Sequence, residues 1–518
     1  MLSVWHGGVV HDTPAVVSTL HDVAMSALEQ AVRTPRDMLA QPCWQKQDLG
    51  LPMPDSRHAV SACLPLWEHN IRYEEADPEV VGQLQAAYPR FCLHPLVRQL
   101  IDRELAPGET GLVFPSRRSA ERAARHVQDR GGGLPSLRTL ADGRITLVTT
   151  AAVDFAKLRE YWQHAGEIVS SRGAESHLAG QPDPVTETGA RTTVRQRVAS
   201  FGGCDERDVW LFPSGMAAIA GVWRAIRRLD PERPTAQFGF PYVDTLKIQQ
   251  RFAPGRHLFF PRGDAADVDE LASRLASTPI CALFCEVPTN PLLTRPDLPA
   301  LRRLADRYGF VLVVDDTLSA IVNENVLPWA DVGVTSLTKY FSGRGDVLAG
   351  SARLNAGLPG ASRLRASLKA EFEELLGDAD CAVLEANSRD VRERVLAINR
   401  TTADLVERLR QHPLVDRVHY PEPSVGVPGR GGLFSVVLRH PERVTPTVYD
   451  HLRICKGPNL GTRFTLCCPY TILAHYTELE TVEQVGVSRW LMRVSVGLEP
   501  LDELWERFRE ALDAGLGR

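Results

Sequence analysis

No stretch of this sequence approaches the ~20 consecutive apolar residues that a helix needs to cross a bilayer. None of its ten cysteines stands in a Cys-x-x-Cys pair. The first absence gives no reason to expect a membrane partner. The second removes the spacing usual for a structural zinc site or a redox motif, so no metal is expected. Positive charge is not in excess either. Lys and Arg number 59 against 64 Asp and Glu, and the net charge of −5 leaves no electrostatic footprint for nucleic acid. Arg224, Arg227 and Arg228 do cluster, but at helical spacing and with acids close behind, as on a solvated helix face. The first residues carry neither a basic stretch nor a long apolar core, so a secretory leader is not expected. Cys467 and Cys468 are adjacent, and Cys281 and Cys285 lie in a strand-like run. Buried thiols in a reducing compartment account for them better than disulfides, and the expectation is a cytoplasmic protein.

What is present is enough for more than one core. A chain of 518 residues, 44% apolar and 24% charged, predicts a globular protein of two or three domains. Residues 1–155 read as an N-terminal extension with a small α/β unit: strands at 111–115 and 144–149 flank an Arg-rich helix at 119–129. Gly131, Gly132 and Gly133 form a turn there rather than a phosphate loop, because no helix start with Lys and Ser or Thr follows. Residues 156–365 alternate strand and helix. Strands at 209–212, 281–285 and 311–314 each close on polar or turn residues, which predicts a parallel α/β sheet with its site at the carboxyl ends. Residues 366–518 read as a smaller α+β domain, with helices at 362–376 and 390–411 and strands at 415–420 and 433–438.

Four segments carry chemistry. Lys339 lies in Ser336-Leu337-Thr338-Lys339-Tyr340-Phe341-Ser342-Gly343, after a buried strand. A lysine so flanked suits a partly desolvated amine that loses its proton near neutral pH, with hydroxyls one and three residues before it to hold an anion. Ser214-Gly215-Met216 sits where a strand turns into a helix, where free amides and the helix dipole favour a phosphate. From that tripeptide alone an ordinary N-capped helix is the better reading. Asp315 ends an apolar run and needs a partner for its ionised form. The fourth segment is Arg493-Val494-Ser495-Val496-Gly497-Leu498-Glu499.

In order and spacing, these segments resemble the γ-family of pyridoxal-phosphate (PLP) enzymes of cysteine and methionine metabolism. That family includes cystathionine γ-synthases, cystathionine lyases and methionine γ-lyases. The resemblance runs from about Tyr161 to the C-terminus. The segments beginning at His58, Tyr88-Pro89-Arg90-Phe91, Tyr161-Trp162-Gln163-His164 and Phe240-Pro241-Tyr242 resemble the N-terminally extended, fungal-type cystathionine γ-synthases. The resemblance implies an α/β protein with the aspartate-aminotransferase-like fold type I, a smaller C-terminal α+β domain, and pyridoxal 5′-phosphate as cofactor.

It also implies roles. Lys339 is the cofactor-linked amine. Ser214, Gly215, Met216, Ser336 and Thr338 face the phosphate. Asp315, with Thr317 beside it, meets the pyridine nitrogen, and Tyr242 stacks on the ring and assists proton transfer. Glu286 and Asn290 shape the cofactor's surroundings, and Arg493 takes the substrate α-carboxylate. Three positions depart from the family. Asp316 replaces the usual Asn, where a helix N-cap and a tuning of the cofactor stay equally open. Asn459 replaces a serine at the substrate carboxylate. Ser170-Ser171-Arg172 replaces a Tyr-x-Arg that reaches the neighbour's phosphate, which keeps Arg172 and loses the tyrosine.

The implied reaction is γ-replacement on an O-acyl-homoserine by cysteine, giving cystathionine. The alternatives are a carbon nucleophile with O-acyl-homoserine or S-adenosylmethionine as electrophile, and a γ-lyase. Amino acids are the small-molecule partners implied, with a homodimer as minimum assembly and a homotetramer beyond it.

Overall fold

Apolar runs broken by turn residues fold into three sheets. The computed structural model describes residues 35–86, 88–181, 183–423 and 427–517. Helix α1 (Trp67–Glu74) and helix α2 (Pro95–Glu104) precede the first sheet. Strand β1 (Thr110–Phe114), helix α3 (Arg117–Asp129), β2 (Ser136–Thr139) and β3 (Thr146–Thr150) form it, in the antiparallel order β1-β3-β2. Ser116 fixes the start of α3: its hydroxyl accepts from the Ser119 amide at 3.1 Å. This unit has no core of its own. Leu100 of α2, Phe114 of β1 and Val127 of α3 belong to one apolar cluster with Trp210 and Phe212 of the next sheet and Trp223 of the helix that follows its first strand.

The central sheet takes β4 (Val209–Phe212), β5 (Thr235–Phe238), β6 (His257–Phe260), β7 (Ala282–Glu286), β8 (Val311–Asp315), β9 (Val332–Thr335) and β10 (Gly350–Leu354). Their order is β4-β10-β9-β8-β7-β5-β6. Strands β5 to β9 pair in parallel, whereas β10 is antiparallel to both its neighbours. The connection from β9 to β10 holds the Lys339 turn in place of a crossover helix, so the chain returns in the opposite direction. Strands β7 and β8 read as unbroken apolar runs because helices cover both faces of the sheet. The predicted parallel sheet therefore holds except at β10. Helix α4 (Gly215–Leu229) follows β4 directly.

The C-terminal sheet has the order β11-β12-β15-β14-β13, with β11 at Val415–His419, β12 at Leu433–Leu438, β13 at Cys455–Lys456, β14 at Leu466–Pro469 and β15 at Met492–Ser495. The helix predicted at 362–376 ends early: it spans Ala361–Glu371, and after a non-helical stretch a second helix, Asp378–Asn387, begins. The break is held from outside, because Arg191 donates to the Leu376 carbonyl at 2.6 Å and to Asp378 at 2.9 Å. Among the described residues no helix is long and apolar enough to cross a membrane.

Candidate active site

Strand pairing sets Glu286 at the end of β7 directly beside Asp315 at the end of β8. Both line one cavity at the carboxyl ends of the central strands, with about 960 Å³ of empty space counted to its open mouth. Asp315 accepts from the Thr317 amide at 2.9 Å, and Glu286 accepts from the Tyr242 amide. Burial, with neighbouring carboxylate charge, raises both: Asp315 to about 6 and Glu286 well above the usual carboxylate range. The next residue behaves differently. Successive strand residues face opposite sides, and Asp316 turns away from the cavity to pair with the fully buried Arg353 of β10 and with the Thr335 hydroxyl. No helix begins at Asp316, so the N-cap reading falls; the side chain is not in the cavity wall, and it bears on the cavity only through its charge beside Asp315.

Lys339 reaches the cavity from the turn after β9. Its Nζ donates to Asn459 Oδ1 at 2.6 Å and lies 4.4 Å from the centre of the Tyr88 ring. Burial lowers its pKa; Tyr88 opposes that fall, and Arg493 and Arg90 add to it.

Helix α4 opens onto the same cavity at Gly215 and Met216, beside Ser336. A side chain at position 215 would put its Cβ 2.6 Å from Ser336 Cβ, so only glycine lets the helix start and the Ser336 turn approach each other. Thr317 Oγ1 accepts from the Ser336 amide at 2.8 Å and fixes that turn. Two expected phosphate contacts stand behind the cavity instead. Ser214 caps α4, accepting from Ala217 at 3.0 Å and donating to the Gly166 carbonyl at 2.8 Å. The Thr338 hydroxyl is held between the Ala349 amide and carbonyl, at 3.0 and 3.2 Å.

Arg493, on β15, crosses to the cavity from the C-terminal sheet. It donates to Asn290 Oδ1 at 3.2 Å and to the Pro458 carbonyl at 2.7 Å, and stacks 4.4 Å over the Tyr470 ring. Asn290 in turn donates to Tyr470 Oη at 3.0 Å. Asn459 binds Lys339 and is not part of this fork. Arg172 does not line the cavity of its own chain, because it is bonded to the Asp346 carbonyl at 2.7 Å and to Asp380 at 3.1 Å.

The unforeseen part of the wall is Tyr88 and Arg90. Arg90 is 2% exposed and donates to Tyr242 Oη, to Asp244 and to the Gln163 carbonyl, the last at 3.0 Å. Burial alone would raise Asp244; Arg90 and His164, the latter 2.8 Å away, outweigh it and hold that carboxyl at about 2. The available signal was an arginine bracketed by aromatics, Tyr88-Pro89-Arg90-Phe91. Cys468 and Tyr470, also in the wall, had no signal beyond the end of a strand.

These residues fit pyridoxal phosphate. The Gly215 cradle, shut by any side chain, exposes helix-start amides to an anion. A carboxyl stands at the floor and a single desolvated amine in the wall. The comparisons with known proteins agree. A family model described as "Cys/Met metabolism PLP-dependent enzyme" matches residues 186–513. A cystathionine γ-synthase of Neurospora crassa is 33% identical, over 90% of this chain and 98% of its own length. An L-2-amino-4-chloropent-4-enoate dechlorinase/desaturase of Streptantibioticus cattleyicolor is 32% identical, over 89% of this chain and 97% of its own. The crystal structure of a cystathionine γ-synthase from Xanthomonas oryzae pv. oryzae superposes with a TM-score of 0.56 at 21% identity, covering 64% of this chain and 87% of that one, and so shares the fold. The chain belongs to the PLP-dependent enzymes of Cys/Met metabolism, is cystathionine γ-synthase-like, and has their fold type I.

Proposed function

We propose that this chain catalyses γ-replacement on an activated homoserine: an O-acyl-homoserine loses its carboxylate at Cγ and cysteine thiolate takes that place, giving cystathionine. The observation that carries the reading is the meeting in one cavity of a lowered-pKa amine, a floor carboxyl and an arginine fork from a second sheet. Similarity over nearly the whole chain to a protein named cystathionine γ-synthase supports it.

In this reading Arg493, steadied by Asn290, grips the substrate α-carboxylate with its planar fork. The Gly215 and Met216 amides and Ser336 hold the cofactor phosphate, with Ser214 and Thr338 bracing them from behind. Asp315, held by the Thr317 amide, would meet the ring nitrogen; Tyr242 would pack against the ring, and Glu286 fixes the Tyr242 backbone. Bound pyridoxal phosphate supplies an electron-withdrawing ring that stabilises negative charge at neighbouring carbons. Lys339 Nζ, uncharged, takes the proton from Cα. Having passed that proton on within the cavity, the same amine would take one from Cβ, because one long side chain sweeps both atoms, and both carbons would regain a proton once the thiolate has added. The Cγ–O bond breaks with its electron pair leaving on the acyl carboxylate, and the thiolate pair forms the Cγ–S bond.

A second reading rests on Asn459, which gives its carbonyl to Lys339 and not to a substrate carboxylate. The cavity wall also carries the apolar side chains of Leu460, Leu473 and Ala474. Both features favour a carbon nucleophile in place of cysteine, with O-acyl-homoserine or S-adenosylmethionine as electrophile. The relative named for dechlorination of a 4-chloro amino acid is a precedent for such divergence. Water in place of the thiol would make the enzyme a γ-lyase. We place the protein in the cytoplasm, where its thiols, none of them in a disulfide among the described residues, stay reduced. As its assembly we propose at least a homodimer, with a homotetramer as the fuller form, in which Arg172 exchanges its own-chain contacts for the neighbour's phosphate. A fully active monomer by light scattering would contradict that assembly.

Product mass spectrometry of the PLP-loaded protein tests the main reading. O-acetyl-, O-succinyl- and O-phosphohomoserine and S-adenosylmethionine are each offered with and without cysteine. Cystathionine from one donor is the expected result. Consumption of a donor without cystathionine, whatever the cysteine supply, would rule it out in favour of the second reading.

A further inference from the structure

The N-terminal segment does more than cover the cavity. It places Tyr88 against the one lysine in the wall, with Nζ 4.4 Å from the ring centre, and Arg90 fixes it from behind with its guanidinium 5.5 Å from the same ring. Arg90 is itself immobilised by Asp244, Tyr242 and the Gln163 carbonyl, so the tyrosine has a rigid support. Tyr242, the tyrosine expected to move protons, already has its hydroxyl occupied by Arg90, and burial raises its phenol well above the ordinary range. Tyr88 differs. Burial opposes its ionisation, yet Lys339 and Arg90 outweigh burial and pull the phenol below its ordinary value.

We propose that Tyr88 is the proton-exchange partner of Lys339. The N-terminal segment thus supplies a catalytic residue to the cavity. In the step itself the Lys339 ammonium gives one proton to the Tyr88 phenolate. The N–H electron pair stays on nitrogen, the O–H bond forms, and a free amine and a neutral phenol result. The reverse transfer resets the pair. No other reactant is required. The charged and titratable groups around the pair are Arg90 and Arg493, Asp315 and Glu286, and the phenols of Tyr242 and Tyr470. The two arginines favour the free amine and the phenolate; burial raises both floor carboxyls, Glu286 well above the carboxylate range and Asp315 to about 6, which weakens the opposing charge. The proposal rests on the reading of Lys339 as the reactive amine, but not on which nucleophile the enzyme uses.

The test is the titration of Lys339 in the full-length, cofactor-stripped chain, read by competitive labelling with an amine-reactive reagent and peptide mass spectrometry. Tyr88→Phe keeps the ring and removes the hydroxyl. Without the phenolate the ammonium loses an opposite charge, so Lys339 should become reactive about one to three pH units lower than in the wild type. In the loaded variant kcat should fall ~100-fold or more, as for loss of a general acid–base group, while KM holds. An unchanged Lys339 titration would overturn the pairing, and a shifted titration with unchanged kcat would overturn the catalytic role. Lys339→Ala reads the same coupling from the other side and decides the matter if Tyr88→Phe does not fold: one tyrosine's phenolate absorbance should move to higher pH, and an unmoved phenolate profile would again overturn the proposal. Failure of every donor to give cystathionine would remove the γ-replacement reading and leave these titrations intact.

Discussion

Two sets of buried charges lie at the carboxyl end of the central sheet, and they are handled in opposite ways. In the cavity, Asp315 and Glu286 have no salt-bridge partner among the described residues, Lys339 faces only a titratable phenol, Tyr88, and burial drives each of the three toward its neutral form. Beside them, Asp316 pairs with Arg353 behind the cavity, and Asp244 pairs with the wall residue Arg90, all four 2% exposed or less. The difference teaches how to separate framework from chemistry when both are buried. A charge locked to its counter-charge holds the sheet ends in place, whereas one left without a partner is free to change its protonation state. Asp315 and Asp316 show that a single step along a strand is enough to move a carboxylate from one class to the other.

The comparison can be broken most severely at Lys339. Lys339→Ala should lower turnover by ~10⁴-fold or more, at the upper end of general acid–base contributions, and leave the thermal melt within a few degrees of the wild type. Turnover at the normal rate would remove the amine from the account. The paired class predicts the reverse pattern. Arg353→Met leaves Asp316 buried without its cation and should destabilise the fold by about 3–5 kcal/mol in a denaturant titration; an unchanged unfolding midpoint would show that the pair is not framework.

A subtler effect concerns pH. The Asp315 carboxyl binds its proton more tightly folded, with a pKa of about 6, than unfolded, at 3.8. Its contribution to stability is therefore fully present below about pH 3.8 and is lost as the pH rises through about 6. Unfolding of the cofactor-free chain across that window should show the loss in the wild type and not in Asp315→Asn. Identical slopes in the two proteins would mean that the carboxyl is not desolvated.

How much of this was legible in the sequence depended on range. Lys339, Asp315 and the Ser214-Gly215-Met216 turn were readable because each is a local event: a strand closing on the residue that its own end exposes. The floor of the cavity therefore followed from short segments. Tyr88 and Arg90 were visible as a motif but mute as to role, since Arg90 acquires its meaning from Asp244, 154 residues away. Asp316 looked like a cap or a tuning residue because its true partner, Arg353, is 37 residues on and belongs to the one antiparallel strand that the reading did not foresee. The last turn of the helix predicted at 362–376 is missing for the same reason: the chain leaves the helix after Glu371, and Arg191, 185 residues away, holds Leu376 in the non-helical stretch that follows. In each case a tertiary hydrogen bond or ion pair decided what local propensity had left open.

Turnover per folded molecule, measured side by side for Asp315→Asn and Asp316→Asn, tests the division most directly. The account predicts that Asp315→Asn stays folded and loses turnover by ~100-fold or more. Asp316→Asn should keep near-normal turnover in whatever fraction remains folded, with its loss seen in the melt. Equal losses of turnover per folded molecule in the two variants would contradict it.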